Sequence, residues 1–140
     1  MLDVPIAVRF RDLDSLGHIN NVVYFTYCEV ATNKYWTRLF GTRCLAKVNF
    51  ILAHADLDYR AQGNEDHDSR VSIRASFIGT TSFGFEYWVV KDETGRLLAE
   101  GHSVQVAFDY KTNEKVPMPG NVRARILEFE GEGTELRGAR

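Results

Sequence analysis

Within ten residues of one another, the 140-residue chain places Asp12, Asp14, Gly17, His18, Asn20 and Asn21. A carboxylate ionised near neutral pH can deprotonate water or attack a carbonyl itself. Asn20 stands just before a helical pattern begins, so its side chain is a candidate N-cap. The N–H groups of Asn21, Val22 and Val23 would then lack intrahelical partners and carry the positive end of the helix dipole. Such a terminus can polarise a carbonyl oxygen and stabilise the oxyanion formed when that carbonyl is attacked. Asp14 is close enough in sequence for a folded loop to bring its carboxylate alongside, and Gly17 would let that loop bend. His18 has the chemistry of an acid, a base or an orienting partner for Asp14 or substrate. The same residue types also build ordinary strand-to-helix turns, so spacing alone leaves both readings open.

Elsewhere the chemistry is sparse. His54, His67 and His102 share no ligand spacing, and neither HExxH nor paired CxxC occurs, so no metal is expected. Glu65, Asp66 and Asp68 around His67 read as a solvated acidic loop. There is no GxSxG elbow, phosphate loop or dinucleotide fingerprint, and no cofactor is expected. Thr80, Thr81 and Ser82 read as a hydroxyl-rich turn, and Tyr87 and Trp88 as core or interface. Cys28 and Cys44 are expected to be plain thiols, Cys28 buried on a helix.

The elements that must position these residues show in the hydrophobic period. Val4 to Phe10 alternates like a half-buried strand. From Asn21 to Phe40 the step changes: Tyr24, Tyr27, Cys28, Ala31, Tyr35, Trp36 and Leu39 predict a long helix, with Gly41 at its end. Val22, Val23, Phe25 and Val30 lie outside that stripe, so the helix reads as wrapped rather than laid on a surface. Leu45 to Tyr59 reads as a long apolar strand or a bent pair, and Arg70 to Ile78, Ser82 to Lys91 and Arg96 to Asp109 read as strands, the last two joined by a hairpin at Asp92-Glu93-Thr94-Gly95. Val122 to Phe129 fits a short closing helix, and Glu130 to Arg140 is expected to fray. The order implies one α+β domain over residues 1–140, an antiparallel sheet curled around a helix.

Composition narrows the function classes. With 44% apolar residues the chain can bury a core, and a formal charge of −2 offers no field to recruit nucleic acid or an anionic membrane. No apolar run is long enough to span a bilayer and no signal-peptide layout is present, so a cytoplasmic protein is expected.

Asp12-x-Asp14-x-x-Gly17-His18-Ile19-Asn20-Asn21-x-x-Tyr24, followed by Glu29-x-Ala31, resembles the signature of the hot-dog-fold acyl-coenzyme A thioesterases of the 4-hydroxybenzoyl-coenzyme A type. Leu57-Asp58-Tyr59, Ile78 to Phe83, the strand of Val104, Val106 and Phe108, and Lys115 to Pro119 extend the similarity, which runs from Val4 to about Ile126. The resemblance implies a five- or six-stranded antiparallel sheet around one long central helix. It also implies homodimers joined edge to edge, paired again into homotetramers, with the active site at the dimer interface. It assigns Asp14 as the catalytic carboxylate and the Asn21 backbone N–H as the donor to the thioester carbonyl. His18 aligns with a histidine counted among the catalytic residues of plant-type acyl-carrier-protein thioesterases, which have an asparagine where this chain has Leu16. Gly17, Tyr24, Thr81 and Ser82 take substrate-side positions. Arg60-Ala61-Gln62-Gly63 and His67-Asp68 depart from the family, which has a proline and a Gly-Asp pair there.

The expectation is therefore hydrolysis of an acyl-CoA ester to free acid and coenzyme A, the coenzyme being part of the substrate. Hydration or dehydration of an acyl thioester, and non-catalytic binding of one, are the alternatives.

Overall fold

In the computed structural model, residues 1–41, 49–64 and 68–131 are described. Cys44, the start of the Leu45 strand, Glu65, Asp66, His67 and most of the tail expected to fray lie outside them.

Period-two stretches became the strands β1 (Leu2–Ile6), β2 (Asn49–Tyr59), β3 (Ser69–Ile78), β4 (Ser82–Lys91) and β5 (Leu97–Asp109), with a two-residue β6 (Glu114–Lys115). They form one antiparallel sheet of order β1-β3-β4-β5-β2, with β6 added to β5. The two helices are α1 (Val23–Phe40) and α2 (Gly120–Glu130). The α+β architecture expected from the hydrophobic period is what the chain adopts.

Strand alternation sets which face meets the helix. Val71, Ile73 and Ala75 of β3 and Phe83, Phe85, Tyr87 and Val89 of β4 are buried toward α1. From α1, Tyr24, Tyr27, Cys28, Ala31, Thr32, Tyr35, Trp36 and Leu39 answer them. Tyr35 meets Phe85 edge-on at 4.8 Å and Trp36 meets Phe83 at 5.3 Å, a geometry that suits the aromatic quadrupoles. Gly41, at φ 74°, ends α1 by turning its N–H back to the Thr37 carbonyl.

Three expectations need correcting. The first strand stops at Ile6, and Phe10–Asp12 is a 3-10 turn, because Asp12 pulls the Arg9 amide and guanidinium toward its carboxylate. The helix is enclosed on one stripe only: Val22, Phe25 and Val30 stay exposed, since the sheet ends at β2 and nothing among the described residues covers α1 beyond it. Glu130 does not fray; it closes α2, and its carboxylate accepts from Tyr35 Oη at 2.7 Å and from the Ala75 N–H at 3.1 Å.

Candidate active site

Residues 12–20 form a miniature hairpin. The Asn20 N–H bonds the Asp12 carbonyl at 2.8 Å, Leu13 faces Ile19 in an isolated bridge, and the Asp14 N–H bonds the His18 carbonyl at 2.7 Å. A second segment clamps it, with the Ile19 N–H on the Gly63 carbonyl at 2.8 Å and His18 bridged to Asn64. Gly17 makes the reversal at φ 79°, where a side chain would strain the backbone.

Asp12 is the anchor beneath this loop. It is 1% exposed and accepts from the Arg9 guanidinium at 2.9 Å and from Tyr27 Oη at 2.8 Å. Burial alone would raise its pKa, but the bonds from Arg9 and Tyr27 outweigh it and hold the carboxyl below the ordinary carboxylate value. Both partners were visible in the sequence; nothing in it said that Tyr27 would reach back across fifteen residues.

Asp14 is exposed and differently employed. Its Oδ1 accepts the N–H groups of Leu16 at 2.9 Å and His18 at 3.1 Å, while Oδ2 has no partner among the described residues. The amides of His18 and Leu16 hold its carboxyl below the ordinary value, so it is ionised at neutral pH. His18 meets Asp14 through its backbone; its imidazole has no hydrogen-bond partner among the described residues.

The helix start is sharper than the spacing suggested. Asn20 is not the N-cap: α1 begins at Val23 with Val22 in the cap position, and Asn20 forms the turn ahead of it, its Oδ1 taking the Val22 N–H at 3.0 Å and its carbonyl the Val23 N–H at 2.9 Å. Of the three amides expected to be free, only that of Asn21 lacks an acceptor among the described residues. The Asn21 carbonyl is held by Tyr59 Oη at 2.7 Å, which ties the end of β2 to the start of α1. Tyr59, read only as part of a strand, is the structural residue that spacing missed.

Tyr24 is buried in the core, its hydroxyl against Gly63, where a Cβ would meet it, and burial raises its pKa. Thr81 and Ser82 sit far from Asp14 in the same chain: Ser82 pairs with Val106 whereas Val89 pairs with Ala99, next to Tyr59, about 23 Å away along β5.

A half-open groove of about 240 Å³ runs from the first turn of α1 between that helix and the sheet. Phe25, Thr26 and Glu29 form its helix wall, Leu52 the β2 wall, and Tyr87 and Ser103 lie at its floor. Cys28 also borders it, with burial pushing its thiol up to about 12, so it is a neutral wall and not a nucleophile. Asp56 and His102 also border the groove; Asp56 accepts from His54 at 2.9 Å and lies 3.5 Å from His102 across the strand pair. Among the described residues, no group of three or more His, Cys, Asp or Glu is arranged to hold a metal ion.

An ionised carboxylate and an amide without an acceptor among the described residues, carried on the one stretch that leads into α1, are groups that can act on a carbonyl. Residues 8–126 match the family model described as the thioesterase-like superfamily. The chain belongs to the thioesterase-like superfamily. As a member it is a thioester hydrolase, and its fold is the hot-dog fold. It is 31% identical to a thioesterase from Thermus thermophilus solved with coenzyme A and Zn, with a TM-score of 0.80 over 92% of this chain and 93% of that one. The PA5185 protein of Pseudomonas aeruginosa PAO1 shares the fold with a TM-score of 0.82 at 23% identity, covering 91% of this chain and 90% of that one. A chloroplastic acyl-acyl carrier protein thioesterase of Arabidopsis thaliana, ATL3, is 24% identical over 131 residues, 91% of this chain and 68% of that relative. No helix among the described residues of this superfamily member is long and apolar enough to cross a membrane.

Proposed function

We propose that the protein hydrolyses acyl esters of coenzyme A, with Asp14 as the reactive carboxylate and the Asn21 N–H as donor to the thioester oxygen. The carrying observation is that the stretch leading into α1 holds both an ionised Asp14, whose Oδ2 has no partner among the described residues, and the Asn21 N–H, which has no acceptor among them. The coenzyme A bound by the Thermus thermophilus thioesterase supports the choice of carrier.

Asp14 either takes a proton from water as the water's oxygen bonds to the acyl carbon, or bonds to that carbon itself as a mixed anhydride that water then opens. In both routes the C–S bond breaks, the sulfur leaves as thiolate and takes up a proton, and the transient oxyanion lies against the Asn21 N–H. Single-turnover hydrolysis in ¹⁸O-water separates them: label in Asp14 marks the anhydride route. The unbonded His18 imidazole gives little support to a hydratase, which needs an Asp and His pair acting together.

The β2 edge suggests the assembly. Two copies joined antiparallel along β2 would bury that edge and reverse one sheet against the other. The far end of the partner's sheet, which carries Thr81 and Ser82, would then come to the end that carries Asp14. On this reading the enzyme is a homodimer, able to pair again into a tetramer, and substrate lies where the two chains meet.

The test is thiol release from a panel of acyl-CoA esters and acyl-carrier-protein esters. Release from coenzyme A esters is expected; loss of a conjugated double bond without thiol release would point to a hydratase, and binding without either reaction to a non-catalytic protein.

A further inference from the structure

Gly63 is buried where the segment that follows β2 crosses the candidate site, and it is held there from two sides. Ahead of it, the N–H groups of Arg60 and Ala61 both bond the Leu98 carbonyl, at 2.8 and 3.2 Å. At Gly63 itself the carbonyl takes the Ile19 N–H at 2.8 Å, and the next residue, Asn64, is bridged to His18. A Cβ at this position would stand 2.6 Å from Ile19 Cδ1, 3.1 Å from Tyr24 Oη and 3.2 Å from Leu98 Cδ1. Ordinary contact between carbons is about 3.5 to 4.0 Å, so Ile19 would have to give way by about 1 Å. Ile19 is 4% exposed and Leu98 1%, so neither has open space to turn into. The segment cannot lift away without breaking its bonds to Leu98 and Ile19. Gly63 is not among the glycines at positive φ, so what it supplies is space and not a special backbone conformation.

The two nearest neighbours flank the corner at Asn20 and Asn21. Ile19 follows His18, whose N–H holds Asp14 Oδ1 at 3.1 Å and whose carbonyl takes the Asp14 N–H at 2.7 Å. Tyr24 lies in the first turn of α1, just past the Asn21 amide. The missing side chain of Gly63 thus borders both arms of the corner, the loop that carries Asp14 and the helix start that carries the Asn21 N–H.

We propose that Gly63 is a positioning residue for thioester hydrolysis: by leaving room for Ile19 and Tyr24 it sets the Asp14 loop against the start of α1. The reaction it serves rests on the hydrolase reading above. Gly63 is not part of the groove wall, so its effect falls on the chemical step more than on substrate binding. Displacing reacting groups by about 1 Å can cost on the order of 100-fold in rate.

The test compares wild type, Gly63→Ala, Ile19→Val and the double variant on the full chain. Thiol release from one acyl-CoA ester that the wild type cleaves is measured beside the amide NMR signals of residues 14–24. Gly63→Ala is expected to lower kcat by about 10-fold or more, to leave KM within about 3-fold, and to move the His18 and Asn21 signals. Ile19→Val removes the Cδ1 nearest the new methyl. The double variant should therefore recover to about 2- to 5-fold below Ile19→Val alone, the rest of the loss coming from the contacts with Tyr24 and Leu98. That comparison carries the test if Gly63→Ala does not fold. A lower melting temperature with kcat unchanged, a rise in KM alone, no recovery in the double variant, or equal kcat in it and in Ile19→Val would overturn the assignment. If the wild type releases no thiol from any ester, the hydrolase reading fails by itself. The positioning then stands or falls on the amide signals, which should shift in Gly63→Ala, or in the double variant relative to Ile19→Val.

Discussion

Tyr59 and Asn21, thirty-eight residues apart, are joined by a 2.7 Å hydrogen bond from the Tyr59 hydroxyl to the Asn21 carbonyl. This bond sets the start of α1 against the end of β2, and so aims the amide proposed to meet the thioester oxygen. Tyr59→Phe removes one neutral hydrogen bond and keeps the ring that packs edge-on against Tyr24. Its expected effect is a fall in kcat of roughly 2- to 10-fold. Steady-state kinetics beside a thermal melt checks this; a lower melting temperature with unchanged kcat would make Tyr59 a brace with no part in catalysis.

Asp14 serves both the loop and the reaction, and two substitutions separate these roles. Asn keeps an oxygen for the Leu16 and His18 amides but removes the charge; Ala removes both. Asp14→Asn should therefore lose only a little stability while kcat falls by about 100-fold or more. Asp14→Ala should lose activity and also loosen residues 14–18, visible as faster amide exchange at Leu16 and His18. Near-normal hydrolysis by either variant would exclude Asp14 as the reactive group.

The pH profile tests Asp14 as the titrating group. Because its folded pKa lies below 3.8, Asp14 stays ionised down to that region. Activity that depends on it should be level through pH 5 to 7 and fall only as pH drops toward the depressed value. A limb rising across pH 5 to 7 would instead take the titrating role away from Asp14. A kcat/KM series across pH 4 to 9 is the measurement.

For Asp12 the readout is stability. Asp12→Asn weakens the bonds to Arg9 and Tyr27 under the loop and should cost about 2 to 4 kcal/mol. With a folded pKa lowered from 3.8, the native carboxylate contributes stability that is present above the unfolded value and lost as pH falls through the folded one. Urea denaturation at pH 7 and in acid should show the gap between wild type and Asp12→Asn narrowing as pH falls. An equal gap at both would mean that the charge is not what stabilises.

Much of this arrangement was legible along the chain. The α1 stripe from Tyr24 to Leu39 and the alternation of β3 and β4 each depend on periods that local geometry imposes, so the sequence by itself determined the helix, the strands and their buried faces. The loop that carries Asp14, Gly17 and His18 was legible for the same reason, since a short loop brings near neighbours together whatever the rest of the fold does.

What only the tertiary structure decided involves partners distant in sequence. Tyr27 reaching Asp12, Tyr59 holding Asn21, and the placement of Tyr24 in the core follow from how α1 is seated on the sheet. The buried hydroxyl row needs Thr32, Tyr87 and Ser103, on three different elements, at hydrogen-bond distance together. Residue types state what each group can donate or accept, but which donor finds which acceptor is settled when long-range packing removes the competing water.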